Sequence, residues 1–251
     1  MTTNALPIEF KNQIIRGDAL ELMCQLPDGC IDLVVTSPPY NLRNSTGGGL
    51  KGANRHGKWP DAALRQGYEA HADNMPDAAY VAWQRACLTE MLRLIPEDGA
   101  IFYNHKWRVQ RGLLQDRKEI VVGFPVRQII VWKRKGGVNF SDRFFLPTFE
   151  VIYLIAKPEF RLAPRANTLG DVWEIAQERN NSHPAPFPVE LPARIIRSTT
   201  ARSVLDPFVG SGTTAVAATI LGRTFLGIDN AASYCEMARE RVSESGGRMK
   251  D

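Results

Sequence analysis

The stretch Ser203 to Asp229 constrains this chain more than any other. Ser203 to Leu205 reads as a short strand, Asp206-Pro207-Phe208-Val209-Gly210-Ser211-Gly212 as a loop, and Thr213 to Leu221 as a helix capped by Gly222. Thr224 to Ile228 is a second strand, and it ends on another acid, Asp229, 23 residues after Asp206. Glycines in such a loop let the backbone approach a ligand, and the helix N-terminus turns unpaired N–H groups toward a negative moiety. An acid at this distance is where doubly wound folds place a carboxylate on a ribose hydroxyl pair. The loop lacks both the G-x-G-x-x-G spacing and the G-K-[ST] of a P-loop. An adenosyl ligand therefore fits better than a dinucleotide or ATP.

The alternation continues along the chain. Strands are expected at Gln13 to Gly17, Ile31 to Thr36, Gly99 to Asn104, Arg127 to Lys133 and Val151 to Ala156. Helices are expected at Ala19 to Leu26, Pro76 to Leu94, Pro188 to Thr199 and Ala231 to Val242, with a frayed tail from Ser243. Such a pattern predicts an α/β fold with a mostly parallel sheet covered by helices on both faces. Its 251 residues suit a single domain, 1–251. Two stretches break the pattern and read as irregular. Residues 41–75 scatter glycines among Arg43, Lys51, Arg55, Lys58 and Arg65, and 158–182 carries Arg161, Arg165, Asn167, Trp173 and Arg179.

Composition removes several classes. The net charge of +4 permits a nucleic-acid partner without demanding one. Cys24, Cys30, Cys87 and Cys235 show no C-x-x-C spacing and the four histidines are dispersed, so neither a disulfide framework nor a metal site is expected. No apolar run approaches the roughly 18 residues of a membrane span. No signal peptide is read at the start, so a cytoplasmic protein is expected.

A second motif, Thr36-Ser37-Pro38-Pro39-Tyr40, closes the buried strand from Ile31. Active sites of open parallel sheets lie at such strand ends. The prolines stiffen the turn, Ser37 Oγ and the Pro38 carbonyl are acceptors, and Tyr40 offers a flat face. Acceptors beside an aromatic plate fit an amino group on a stacked heterocycle. The same residues also make a rigid surface turn.

Together the two motifs resemble the class-β S-adenosylmethionine-dependent amino-methyltransferases of DNA. That family has a D/S/N-P-P-Y/F tetrapeptide ahead of an F-x-G-x-G loop, the circularly permuted order found here. The likeness runs from Asp18 to about Val242 and includes His183-Pro184-Ala185-Pro186-Phe187-Pro188 before the loop. It implies a Rossmann-like methyltransferase fold, with Ser37, Pro38, Pro39 and Tyr40 as the catalytic residues. It implies S-adenosyl-L-methionine as cofactor, held by Asp18, Phe187, Asp206, Phe208, Gly210, Gly212, Thr213 and Asp229. Asp229 would bind the ribose and Asp18 the adenine amino group, while His183 would orient its segment. Many relatives have lysine where this chain has Phe187, which puts in question a charged contact to the cofactor carboxylate.

The implied substrate is double-stranded DNA, with the target base flipped out of the helix. Serine in the tetrapeptide is commoner among cytosine-N4 enzymes. Residues Asp73 to Asp116, including Tyr103-Asn104-His105-Lys106-Trp107, are instead similar to solitary bacterial adenine methyltransferases, so adenine-N6 is the expected target. Residues 41–75 are expected as a mobile DNA-contacting loop and 158–182 as a small target-recognition insertion, in a homodimer. Phe144, Phe145 and Phe149 read either as core or as a plate sandwiching the base against Tyr40. Lys133-Arg134-Lys135 reads as a solvated face or as phosphate contacts. Methylation of RNA or of a protein amide, and a non-catalytic DNA-binding module, are the rival readings.

Overall fold

The computed structural model describes residues 4–41, 75–110, 112–134, 142–176 and 188–246. The expected loop 41–75 therefore lies almost wholly outside the described residues, as do Lys135, His183 and Phe187.

Among the described residues, eight strands form one sheet. They are β1 (Gln13–Arg16), β2 (Leu33–Thr36), β3 (Ala100–His105), β6 (Val126–Lys133), β7 (Phe149–Ala156), β8 (Val172–Glu174), β9 (Ser203–Asp206) and β10 (Thr224–Asp229). Their order across the sheet is β1-β10-β9-β2-β3-β7-β6-β8. All neighbours from β1 to β3 are parallel, β7 runs against both β3 and β6, and β8 is parallel to β6. The remaining strands, β4 (Arg108–Gln110) and β5 (Leu113–Gln115), make a separate antiparallel pair.

Helices cover both faces, as the alternation predicts. On one side α4 (Glu190–Arg197), α5 (Thr213–Ile220) and α6 (Ala232–Glu244) pack over Leu33, Val35, Phe102, Ile152 and Val204. On the other, α1 (Ala19–Cys24), α2 (Asp77–Leu94) and α3 (Lys118–Val121) cover Val34, Ile101, Tyr103, Val151 and Leu205. Successive residues of β2 thus enter opposite cores, which is why Leu33–Thr36 is wholly buried. On α2, Tyr80, Gln84, Cys87, Leu88, Met91 and Leu94 recur at helical spacing and are buried.

Four expectations need correction. The stretch from Pro158 is not wholly irregular. It holds β8, whose three residues are too few to show a period, anchored by the buried Trp173. The short β4, β5 and α3 carry no periodic signal either and were not expected. Phe144, Phe145 and Phe149 are not core: Phe145 is 96% exposed and Phe149 38%, because they precede the buried part of β7. Arg134 does not sit on a solvated face but turns inward to Glu150, with Nη1 3.5 Å from Oε1.

Candidate active site

The parallel strands β1, β10, β9 and β2 all end at one edge of the sheet. A cavity of about 250 Å³ opens there, lined by Asp18, Ser37, Pro39, Trp83, Phe208, Gly210, Asp229 and Tyr234 among others. An opening outside the carboxyl ends, where crossovers leave in opposite directions, is the expected binding crevice of a doubly wound sheet.

One wall is built from backbone. The Gly17 N–H donates to the Asp229 carbonyl at 2.9 Å, which draws the start of α1 against the end of β10. Asp18 is the N-cap of α1, its Oδ1 accepting from the N–H groups of Leu20 and Glu21 at 2.9 and 3.0 Å. Asp229 accepts from Gly210 N–H at 3.0 Å and from Ala231 N–H at 2.9 Å, so its carboxylate shapes the glycine loop. Trp83 and Phe208 meet edge to face, 5.5 Å between centroids, and form the apolar side. Among the described residues lining the cavity none is lysine or arginine, while Asp18 and Asp229 both reach it. Such a lining suits a cationic nucleoside better than a polyphosphate.

The opposite wall is built from side chains. Ser37 Oγ lies 2.6 Å from Tyr40 Oη, and Asn104 Nδ2 reaches Tyr40 Oη at 2.8 Å and Ser37 Oγ at 3.3 Å. Tyr40 is 4% exposed and tilts against His105 with 5.1 Å between ring centroids. The Pro39 carbonyl accepts from Tyr80 Oη at 2.9 Å and Gln84 Nε2 at 3.3 Å, and Gln84 in turn accepts from Tyr103 Oη at 2.6 Å. The Pro38 carbonyl has no partner among the described residues. Burial drives His105 down to about 3, so its ring is neutral and supplies packing and a hydrogen bond rather than a charge.

Asp206 joins the two walls. Its Oδ1 accepts from Thr36 Oγ1 at 2.7 Å and Phe208 N–H at 3.1 Å, and its Oδ2 from Thr214 Oγ1 at 2.7 Å. Burial nevertheless pushes this carboxyl up to about 6, because those three donors offset only part of the lost hydration.

Of the residues expected at the cofactor, the structure brings Asp18, Phe208, Gly210 and Asp229 to the cavity. Asp206, Gly212 and Thr213 lie behind it. Thr213 is buried and accepts from Arg241 Nη1 at 3.2 Å. Gly212 holds a φ of +83°, and a Cβ there would sit 2.8 Å from the Ala238 Cα. Of the tetrapeptide, Ser37 and Pro39 face the cavity while Pro38 and Tyr40 do not line it, and Tyr40 is buried. Sequence reasoning assigned no role to Trp83, Asn104, Tyr234 or Glu150. Glu150 is marked in sequence as the single charge in an otherwise apolar strand, but its place in the site comes from the strand pairing.

Known proteins resemble this chain in sequence and in fold. The model of the family N6_N4_Mtase, described as DNA methylase, matches residues 31–240. The type II methyltransferase M.BglII of Bacillus subtilis is 26% identical over 285 residues, covering 96% of this chain and 71% of that protein. Among solved structures, the PvuII DNA methyltransferase, which is cytosine-N4-specific, superposes with a TM-score of 0.72 at 19% identity, covering 91% of this chain and 85% of its own. TTHA0409 of Thermus thermophilus, solved in complex with S-adenosyl-L-methionine, gives 0.65 at 25% identity, covering 93% and 95%. The fold is the methyltransferase fold of these neighbours, and with 31–240 matched the chain belongs to the N6_N4_Mtase family of DNA methylases.

Proposed function

We propose that the chain moves a methyl group from S-adenosyl-L-methionine to the exocyclic N6 of adenine in duplex DNA. The observation that carries the reading is that Ser37, at the end of β2, shares one cavity with Asp18, Phe208, Gly210 and Asp229. The cofactor is the molecule with which TTHA0409 was solved, and an acidic lining with no lysine or arginine among the described residues fits it. Asp229 would hold its ribose, Asp18 its adenine amino group, and Phe208 with Gly210 its methionine part. Bound there, it supplies an electrophilic methyl whose leaving group is a neutral thioether.

The chain's own residues prepare the nucleophile. An exocyclic amine is poor at attack because its lone pair is delocalised into the ring. Hydrogen bonds from its two N–H groups to Ser37 Oγ and the Pro38 carbonyl draw the nitrogen toward tetrahedral geometry and free that pair. The Tyr80–Gln84 clamp on the Pro39 carbonyl keeps the turn in place, so positioning supplies most of the rate.

Adenine is supported by the similarity of residues 73–116 to solitary adenine methyltransferases. A second reading, cytosine-N4, is favoured by serine in the first position of the tetrapeptide. Digesting modified DNA and identifying the nucleoside by mass decides between them. N6-methyldeoxyadenosine is expected, and N4-methyldeoxycytidine overturns it. The same proposal has residues 41–75 and 158–182 contacting DNA in a homodimer. It predicts an affinity that falls steeply between about 50 and 200 mM salt and a mass by light scattering of twice 28.0 kDa.

A further inference from the structure

Ser37 reaches the cavity, yet a serine hydroxyl can offer either its proton or a lone pair. What decides between them lies on β7. Because β7 is antiparallel, its first residues lie beside the carboxyl end of β3, with Val151 opposite His105 and Ile152 opposite Asn104. Glu150, 7% exposed, is thereby delivered to the edge of the sheet where the cavity opens. Its Oε1 faces Arg134 Nη1 at 3.5 Å, and its Oε2 takes Asn104 Nδ2 at 2.9 Å and Tyr40 Oη at 3.2 Å.

A carboxylate only accepts, so the single proton of Tyr40 goes to Glu150. With that proton committed, the tyrosine oxygen can only accept from Ser37 Oγ, 2.6 Å away. The proton of Ser37 then points toward Tyr40, one lone pair meets Asn104 Nδ2 at 3.3 Å, and the other remains for the cavity. We propose that Glu150 is a positioning residue which, through Tyr40, fixes Ser37 as an acceptor for the incoming amine. That role rests on Ser37 receiving the amine, as proposed for the reaction. The charge at the end of the relay also polarises both hydroxyls in a water-poor site, which shortens and directs their hydrogen bonds.

Glu150→Gln reverses the relay. Arg134 retains the amide oxygen, the amide NH₂ takes the place where Oε2 accepts from both Asn104 Nδ2 and Tyr40 Oη, Tyr40 donates to Ser37, and Ser37 donates into the cavity against a group that is itself a donor. Turnover of unmethylated genomic DNA should fall at least tenfold in kcat. KM for DNA and the Kd for S-adenosyl-L-methionine should stay within about twofold. Tyr40→Phe, which keeps the ring and removes the relaying hydroxyl, should show the same loss, and the double variant should be no worse than either single one. A readout independent of turnover is the ¹³Cζ resonance of Tyr40 in tyrosine-labelled protein with no ligand added, assigned by its disappearance in Tyr40→Phe. It should move in Glu150→Gln. Wild-type kcat in a folded Glu150→Gln, losses that multiply in the double variant, or an unmoved resonance each overturn the role of Glu150. If Glu150→Gln does not fold, Tyr40→Phe at wild-type kcat overturns it alone. Undiminished turnover by Ser37→Ala would instead break the underlying reading of Ser37. An inactive Ser37→Ala beside a fully active Glu150→Gln breaks only the relay.

Discussion

The two walls of the cavity are held by different kinds of bond. On the side of Asp18 and Asp229, carboxylates accept from backbone N–H groups that are two, three or 19 residues away. On the side of Ser37, side chain meets side chain across 46, 64 and 110 residues, in the set Tyr40, Asn104 and Glu150. A wall made of backbone tolerates changes of side chain but not of backbone conformation. A wall made of side chains has the opposite weakness. Substitutions can therefore be chosen that strike one side and leave the other intact.

The largest effect is expected on the side-chain wall. Ser37→Ala removes the acceptor in the cavity without touching a backbone contact. Turnover should fall about 10²-fold to 10³-fold, the range of a lost preorganised hydrogen-bonding group, while calorimetry should find cofactor affinity within a few-fold. A parallel loss of cofactor affinity would show that the walls are not separable.

Legibility in the sequence follows the same division. The loop from Asp206 to Thr213 and the acid at Asp229 are read locally, because strand, loop, helix and strand follow one another with short connections. Ser37 is found because the tetrapeptide is contiguous. Glu150 and Asn104 belong to the site only through the pairing of β3 with β7, and no local pattern announces an antiparallel strand inserted in a parallel sheet. Thr213 and Gly212 are the reverse case. They stand in the motif, and the folded chain adds contacts with α6 that the sequence does not show.

Asp206 tests whether the walls are coupled through their shared carboxylate. Its folded value of about 6 is above the ordinary 3.8, so the folded chain holds a proton there that the unfolded chain has lost. Stability from this group is thus greatest below about pH 4, declines as pH rises toward about 6, and is constant above that, by on the order of 3 kcal/mol. Urea unfolding at a series of pH values should show this decline in the wild type and not in Asp206→Asn. Identical slopes would mean that the carboxyl is not buried in its protonated form.

A backbone lesion should come next in size. Gly212→Ala forces a left-handed φ of +83° on a residue with a Cβ and drives that atom to 2.8 Å from the Ala238 backbone. Strain and overpacking together should cost about 2–3 kcal/mol. The glycine loop would shift with it, so cofactor affinity should fall while any residual turnover keeps its target base. A melt unchanged from wild type would mean α6 yields more easily than its packing suggests.

The smallest effect separates structure from recognition at a single residue. Asp18 caps α1 through one oxygen, Oδ1, and an asparagine caps a helix about equally well. Asp18→Asn should therefore leave the melting temperature within about 1 °C, since a cap that survives changes stability by a few tenths of a kcal/mol at most. The second carboxylate oxygen becomes an NH₂, which cannot accept the amino proton of an adenine. Losing one such hydrogen bond is worth roughly 1 kcal/mol, or about a fivefold weaker Kd for S-adenosyl-L-methionine by calorimetry. The two readouts must split in this way for Asp18 to contact the cofactor. A lower melting temperature with unchanged affinity would make Asp18 a helix cap and nothing more, and the backbone-built wall would then recognise its ligand through Asp229 and the glycine loop alone.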